Sequence, residues 1–275
     1  MKEKVKHSLF SHGLVLIISV IVLSVVSSCK PFDDKYQSPQ TEATSTYHLK
    51  LSNGYRTSND YPLTEELADS YLAHLNSCPI PLKIRTYEEY KDQYLTKVVA
   101  KYDKYKKTSD FAGENVSGQH VRGFPVDGWP NYFLFLEARP NPHEVMGTYF
   151  HELGHYECNT MKCPYCISHG HKHVTELHAI VNELESTIEY NYPKVMKSSF
   201  DKYKGWLRQY DKHQEYADAV LQLQSSPFWD DVTSFSEKHG LDVPIFEKPK
   251  GQTAKLVANG KTITIRIVVL PAKKK

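Results

Sequence analysis

Apolar residues recur along this chain with two different periods, and each period predicts a different kind of element. Leu63, Leu67, Tyr71, Leu72 and Leu75 fall at helical spacing, with Thr64 at the cap position and Glu65 and Glu66 in an acidic first turn. Pro81-Leu82-Lys83-Ile84-Arg85 alternates as a strand does, and Thr86 with Glu89 makes a capping-box opening for a helix running to about Tyr105. Residues 113–128 are rich in glycine and polar side chains, a loop with a short strand expected at 120–122. Asn131-Tyr132-Phe133-Leu134-Phe135-Leu136 is the best strand pattern, aromatic and bounded by Pro130 and Pro140. A helix is expected from Pro142 to about Glu157, with proline in its first turn. After a Cys/His-rich interruption at 158–173, Leu177, Val181, Leu184 and Ile188 form one stripe of a helix over 174–190. Helical patterns then continue to about His239. Asn259-Gly260 between two β-branched runs predicts a terminal hairpin.

Composition narrows the class without fixing it. The 275 residues are 40% hydrophobic and 24% charged, which excludes a disordered, collagen-like or many-span membrane chain. The formal charge of +2 belongs to the first 29 residues, where Lys2, Lys4 and Lys6 face Glu3, so the remainder sums to zero. A neutral body with interspersed charges carries no electrostatic footprint for nucleic acid. The neutral body does hold an excess of histidine. Six of the fourteen histidines lie between His151 and His178.

The N-terminus has the order basic, apolar, small. Its apolar run, residues 14–26, is too short to span a bilayer core of about 30 Å but suits a secretory signal. Val26-Ser27-Ser28-Cys29 resembles the lipobox of bacterial lipoproteins, with Val26 where that pattern usually has leucine. The resemblance implies cleavage before Cys29, a lipid on Cys29 and a protein exported and held at a membrane. The expected layout is a signal peptide at 1–28, a tether at 29–46, a main domain at 47–247, and a hairpin with a basic tail at 248–275.

The chemistry concentrates in His151-Glu152-Leu153-Gly154-His155. Four residues is slightly more than one helical turn, so both imidazoles leave the same face and can grip one ion. Glu152, beside the pair, is placed to take a proton from water that a metal has made acidic. Residues 149–156 resemble the active-site helix of the zincin metallopeptidases, over roughly residues 130–190. That resemblance implies an α+β zincin-like domain, a catalytic Zn2+, hydrolysis of peptide or protein substrates, and a strand, residues 131–136, along whose edge substrate lies.

The resemblance also demands a third ligand. Cys158 and Met161 stand where the histidine-ligand branch needs glycine and histidine, so the glutamate branch fits better. Val181-Asn182-Glu183-Leu184 is similar to the thermolysin-type segment, which implies Glu183 as ligand. Thr187 departs from that pattern, which has an aspartate there to orient the first histidine. Glu176 is the competitor, because Glu176-Leu177-His178-Ala179 matches the Glu-x-x-Ala signature of other zincins and lies on the same helix edge.

Cys158, Cys163 and Cys166, followed by His169, have the ligand types of a second, structural zinc. Disulfides are the rival, with Cys78 as a fourth thiol, because an exported protein meets oxidising conditions. Cys163-Pro164-Tyr165-Cys166 matches a glutaredoxin tetrapeptide, but a redox cysteine needs a strand before it and a long helix after it. The expected function is therefore a zinc metallopeptidase with His151, His155 and Glu183 (or Glu176) on the metal and Glu152 as base. The alternative is a tethered metal-binding or interaction protein whose zincin fold is catalytically idle.

Overall fold

The computed structural model describes residues 47–51, 55–101, 116–160, 172–248, 253–258 and 261–266. The chain divides into two units, Met1–Thr44 and Ser45–Lys275, and every described residue belongs to the second. Cys29 with the signal-like run, and Cys163, Cys166 and His169, lie outside the described residues. Among the described residues no helix is long and apolar enough to cross a membrane.

The fold is mixed, with helices around a small mixed sheet. The first elements are α1 (Glu65–Asn76), β1 (Leu82–Arg85) and a helical run made of α2 (Tyr87–Tyr90), a π segment (Lys91–Leu95) and α3 (Thr96–Lys101). Thr64 caps α1 by accepting from the Leu67 N–H at 3.2 Å, and the Thr86–Glu89 capping box is present in both directions. Two strands follow, β2 (Gly118–Arg122) and β3 (Tyr132–Glu137). The long helices are α4 (Pro142–Thr160), α5 (Lys172–Glu189), α6 (Pro193–Arg208), α7 (Gln214–Gln224) and α8 (Phe228–Lys238). A hairpin of β4 (Thr253–Ala258) and β5 (Lys261–Arg266) pairs around the predicted Asn-Gly turn. Helices α4 and α5 extend further toward each other than their patterns predicted, so the interruption between them is shorter than 158–173.

Strand order corrects one expectation. Residues 131–136 were expected to border a cleft, yet the order is β1-β3-β2 and β3 is the central strand. The physical reason is its pattern: Phe133, Leu134, Phe135 and Leu136 are all fully buried, and a strand apolar on both faces must be covered on both. β1 runs parallel to β3, with Leu82 opposite Leu134, and β2 runs antiparallel to it, with Gly118 opposite Leu136. The edge strand next to the histidine helix is therefore β2.

Leu134, Leu136 and Ile84 pack on one side of the sheet with α1 and with Val145, Met146, Tyr149 and Phe150 of α4. Phe133, Phe135 and Val121 face the other way, onto Tyr90, Tyr94, Leu95 and Val98. There the rings of Tyr90 and Phe135 stack with centroids 3.7 Å apart. Each fully buried side chain of this size contributes about 1.5–3 kcal/mol, so this double cover fixes β3 and, through its pairing, the edge strand. A third apolar cluster joins α5 to α6, α7 and α8 through Ile180, Leu184, Met196, Phe200 and Val220.

Two local devices aim the helices. Arg139 ties three elements together, donating to Glu137 at 2.7 Å, to Glu144 at 2.9 Å and to the Ser117 hydroxyl at 2.7 Å. Between α5 and α6, Asn191 takes a left-handed conformation with φ 56°. The Tyr192 N–H then reaches back to the Thr187 carbonyl at 2.9 Å, closing a tight C-terminal cap before Pro193 opens α6.

His143 makes the fold sensitive to acid. Its buried ring meets the Tyr71 hydroxyl of α1 at 2.9 Å, and burial, then the Lys194 ammonium of α6, pulls its pKa down to about 4. The unfolded chain takes up this proton near pH 6.5, so the stabilisation is complete above that pH and is lost as pH falls toward 4. Urea midpoints between pH 7 and 4.5 should fall for the native protein and fall less steeply for His143→Gln. Equal slopes would show that His143 contributes nothing to the acid response.

Candidate metal centre

Helices α4 and α5 cross at a glycine. A Cβ on Gly154 would stand 2.9 Å from the Ala179 Cα and 2.9 Å from the Asn182 Cβ, so only glycine permits this approach. Asn182 then donates to the Phe150 carbonyl at 2.7 Å and locks the pair. The helices run antiparallel, with Gly147 against Glu183 and Cys158 against Val174.

This crossing brings together the donor atoms of His151, His155 and Glu176, all within 4.8 Å of one another, and the three could hold a metal ion. Glu176 lies 3.2 Å from His151 Nε2 through one carboxylate oxygen and 3.3 Å from His155 Nε2 through the other. Two ligand atoms held tetrahedrally on one ion at about 2.1 Å stand about 3.4 Å apart, so these separations fit a shared ion. Of the two glutamates that the spacing left open, Glu176 is the one in the donor group.

Glu183, the preferred candidate, stands on the other side of His151. Its carboxylate is 3.2 Å from His151 Nδ1 and is fully buried. Its oxygens accept from Tyr203 at 2.6 Å, from Ser199 at 2.5 Å and from Lys202 at 2.7 Å each. Gly147 leaves the room, since a Cβ there would come within 2.9 Å of Glu183 Oε1. Two helical turns separate Glu176 from Glu183, so both lie on one face of α5 and grip His151 from its two nitrogens. Thr187 is buried and donates to the Glu183 carbonyl at 2.6 Å, so the contact expected from an aspartate at that position comes from Glu183 instead.

Glu152 occupies a third direction, beneath β2. A Cβ on Gly118 would meet Glu152 Cγ at 2.8 Å and Thr148 Cγ2 at 2.5 Å, so the missing side chain of Gly118 lets the edge strand lie on this carboxyl. The backbone N–H of His120 donates to it. Burial raises the Glu152 pKa, opposed by the nearby histidines, which leaves a carboxylate readier to accept a proton than an exposed one.

Charge is the notable property of this crossing. Glu152, Glu176 and Glu183 are all buried, and Lys202 is the ammonium that contacts Glu183. With neutral imidazoles the formal sum is −2, which one divalent cation balances. Burial disfavours charge on His151, yet Glu176 and Glu183 override it and lift its pKa to about 9. Burial would likewise raise Glu176 and Glu183, but His155 and His151 hold Glu176 low, and Lys202 and His151 hold Glu183 low.

Around the centre, Trp206 brings its ring 6.0 Å from that of His151, and a cavity of about 1060 Å3 opens along α6 past Trp206, Lys202, Gly147 and Thr148 to Ser117. Tyr192 has its hydroxyl on Ser70 and on His74 of α1, away from the donor group. Cys78 is a free thiol, and Cys158 is buried against Val174. Sequence reasoning did not find Gly118, Gly147 or the Ser199, Lys202 and Tyr203 clamp. The clamp's spacing of three and four along α6 was the available signal, and it matches any polar helix face.

Comparison with known protein families, with curated proteins and with solved structures finds no match to this chain.

The two glutamates should separate in a titration with Zn2+ followed by calorimetry. Glu176→Gln, which removes a donor, should weaken binding more than Glu183→Gln, whose orienting role is worth about 10–100-fold. The opposite order would place Glu183 in the donor set.

Proposed function

We propose that the crossing of α4 and α5 is the catalytic centre of a zinc-dependent peptidase of the zincin type. The observation that carries this reading is the buried charge: three carboxylates and two imidazoles converge where one divalent cation balances the sum. The donor set of two imidazole nitrogens and one carboxylate is that of catalytic rather than structural zinc sites. A divalent ion held there supplies Lewis acidity, polarising a substrate carbonyl and making water acidic.

The chain's own groups then divide the work. His151, His155 and Glu176 hold the ion, and Glu183 fixes the ring of His151 by accepting from Nδ1. Glu152 takes a proton from the attacking water as its oxygen bonds to the scissile carbonyl carbon. It hands that proton to the departing nitrogen as the carbon–nitrogen bond breaks, so the carboxylate is regenerated. The edge strand β2, resting on Glu152 through Gly118, offers an extended substrate a backbone to lie against. Glu183 also supplies the orienting contact that the thermolysin-type pattern takes from an aspartate at position 187.

The proposed setting is a bacterial cell envelope, on the periplasmic or surface side, with the chain held at a membrane by a lipid on Cys29. Export and lipidation are supported by the order of basic, apolar and small residues before Cys29.

The experiment is cleavage of a mixed peptide library by the metal-loaded protein and by Glu152→Gln. The variant should keep its metal and lose at least about 100-fold in rate, the usual contribution of a general base. Equal rates in both proteins would remove the peptidase.

A further inference from the structure

The cavity beside the metal centre has a charge of its own. It begins at Ser117, the residue before the edge strand, and at Thr148, one turn before Glu152. Much of its lining is α6, including Lys202 and Trp206, the latter with its ring 6.0 Å from that of His151. One border of the cavity thus lies at the start of β2, next to the helix turn that precedes Glu152.

The charged groups of the wall fall into those already paired and those not. Glu183 is held by Lys202, and Glu144 by Arg139. Asp201 lies 3.8 Å from Lys204 on its own helix. Lys194, Lys197 and Lys212 face the cavity with no ion-pair partner among the described residues, against one unpaired lining carboxylate, Asp60. Lys194 and Lys197 stand three apart on one face of α6, a like-charge spacing that does not help a helix by itself. The field of Lys194 also reaches inward, where it opposes a proton on His143. In a body whose formal charge is zero outside the first 29 residues, the cavity is lined by five cationic side chains against four carboxylates, a local excess of one positive charge.

We propose that this cavity is the substrate cleft of the metal centre and that it takes a peptide segment bearing aspartate or glutamate side chains, seated on Lys194, Lys197 and Lys212. This rests on the peptidase reading, and it assigns that site its substrate class. The lysines remain solvated at the rim, so they select by attraction and steering rather than through a desolvated ion pair.

Binding without turnover tests the proposal. A labelled glutamate-rich peptide, a lysine-rich peptide and a neutral peptide are titrated against the full-length protein at low salt, read by fluorescence anisotropy. The glutamate-rich peptide should bind at least tenfold more tightly than the others. Lys194→Glu with Lys197→Glu, both on exposed positions, should abolish that preference. Lys91→Glu with Lys97→Glu, the same charge change on the far helical run, should leave it in place. Equal losses in both double variants would reduce the effect to net charge and overturn the cleft. Displacement of the peptide by millimolar inorganic phosphate would mark a general anion site and overturn the peptide assignment. Charge-selective binding with no cleavage by the metal-loaded protein would remove the peptidase and leave the binding cleft. Cleavage without charge selectivity would remove the acidic preference alone.

Discussion

Three carboxylates buried within one helix crossing repel one another, and much of this molecule is arranged around that repulsion. Glu152, Glu176 and Glu183 each point in a different direction from the α4–α5 contact, and each meets a different kind of partner. Glu176 faces both imidazoles. Glu183 is wrapped by an ammonium, two hydroxyls and an imidazole N–H. Glu152 has a backbone N–H and an edge strand above it. Removing any one set of partners would leave a buried charge uncompensated, an effect on the order of 3–5 kcal/mol in folded proteins.

The elements far from the crossing make sense as supports for it. The tight turn at Asn191 sets α6 at the angle from which Ser199, Lys202 and Tyr203 reach Glu183. The double cover of β3 holds the sheet, and β2 is placed over Glu152 by its pairing with β3 and by Val121 packed in the Tyr90 cluster. Arg139 links the end of β3 to the start of α4 and to Ser117 ahead of β2, which keeps strand and helix in one register.

Most of the secondary structure was legible in the sequence because it is written in short-range terms. The Thr86–Glu89 capping box, the aromatic strand at β3 and the stripe on α5 each depend on residues within a few positions of one another. The place of β3 in the sheet is a different kind of fact. Its unbroken apolar run already argued for cover on both faces, and the expectation of an edge strand came from resemblance instead. At the candidate metal centre, the proximity of His151, Glu152 and His155 was legible because one helical turn fixes their geometry. The choice between Glu176 and Glu183 was not, since two turns of α5 leave both on one face. Only the antiparallel offset of the two helices, which depends on the segment between them, decides which glutamate meets His155. The clamp from α6 was out of reach for the same reason, being a contact between elements rather than a pattern within one.

Gly118 has a consequence for anything that adds to the free side of the sheet. The Ser117 carbonyl accepts from Glu137 of β3 and the Gly123 N–H donates to Asn131 just before β3, so by alternation the amides of residues 118, 120 and 122 point away from that strand. The His120 N–H among them is spent on Glu152. An incoming strand would find a ladder with its middle rung missing, the usable amides at Gly118 and Arg122 standing about 13 Å apart. Such an edge resists zipping into a continuous ribbon with a second copy, and an extended chain added to it would be held at two ends, with the bond between them unheld.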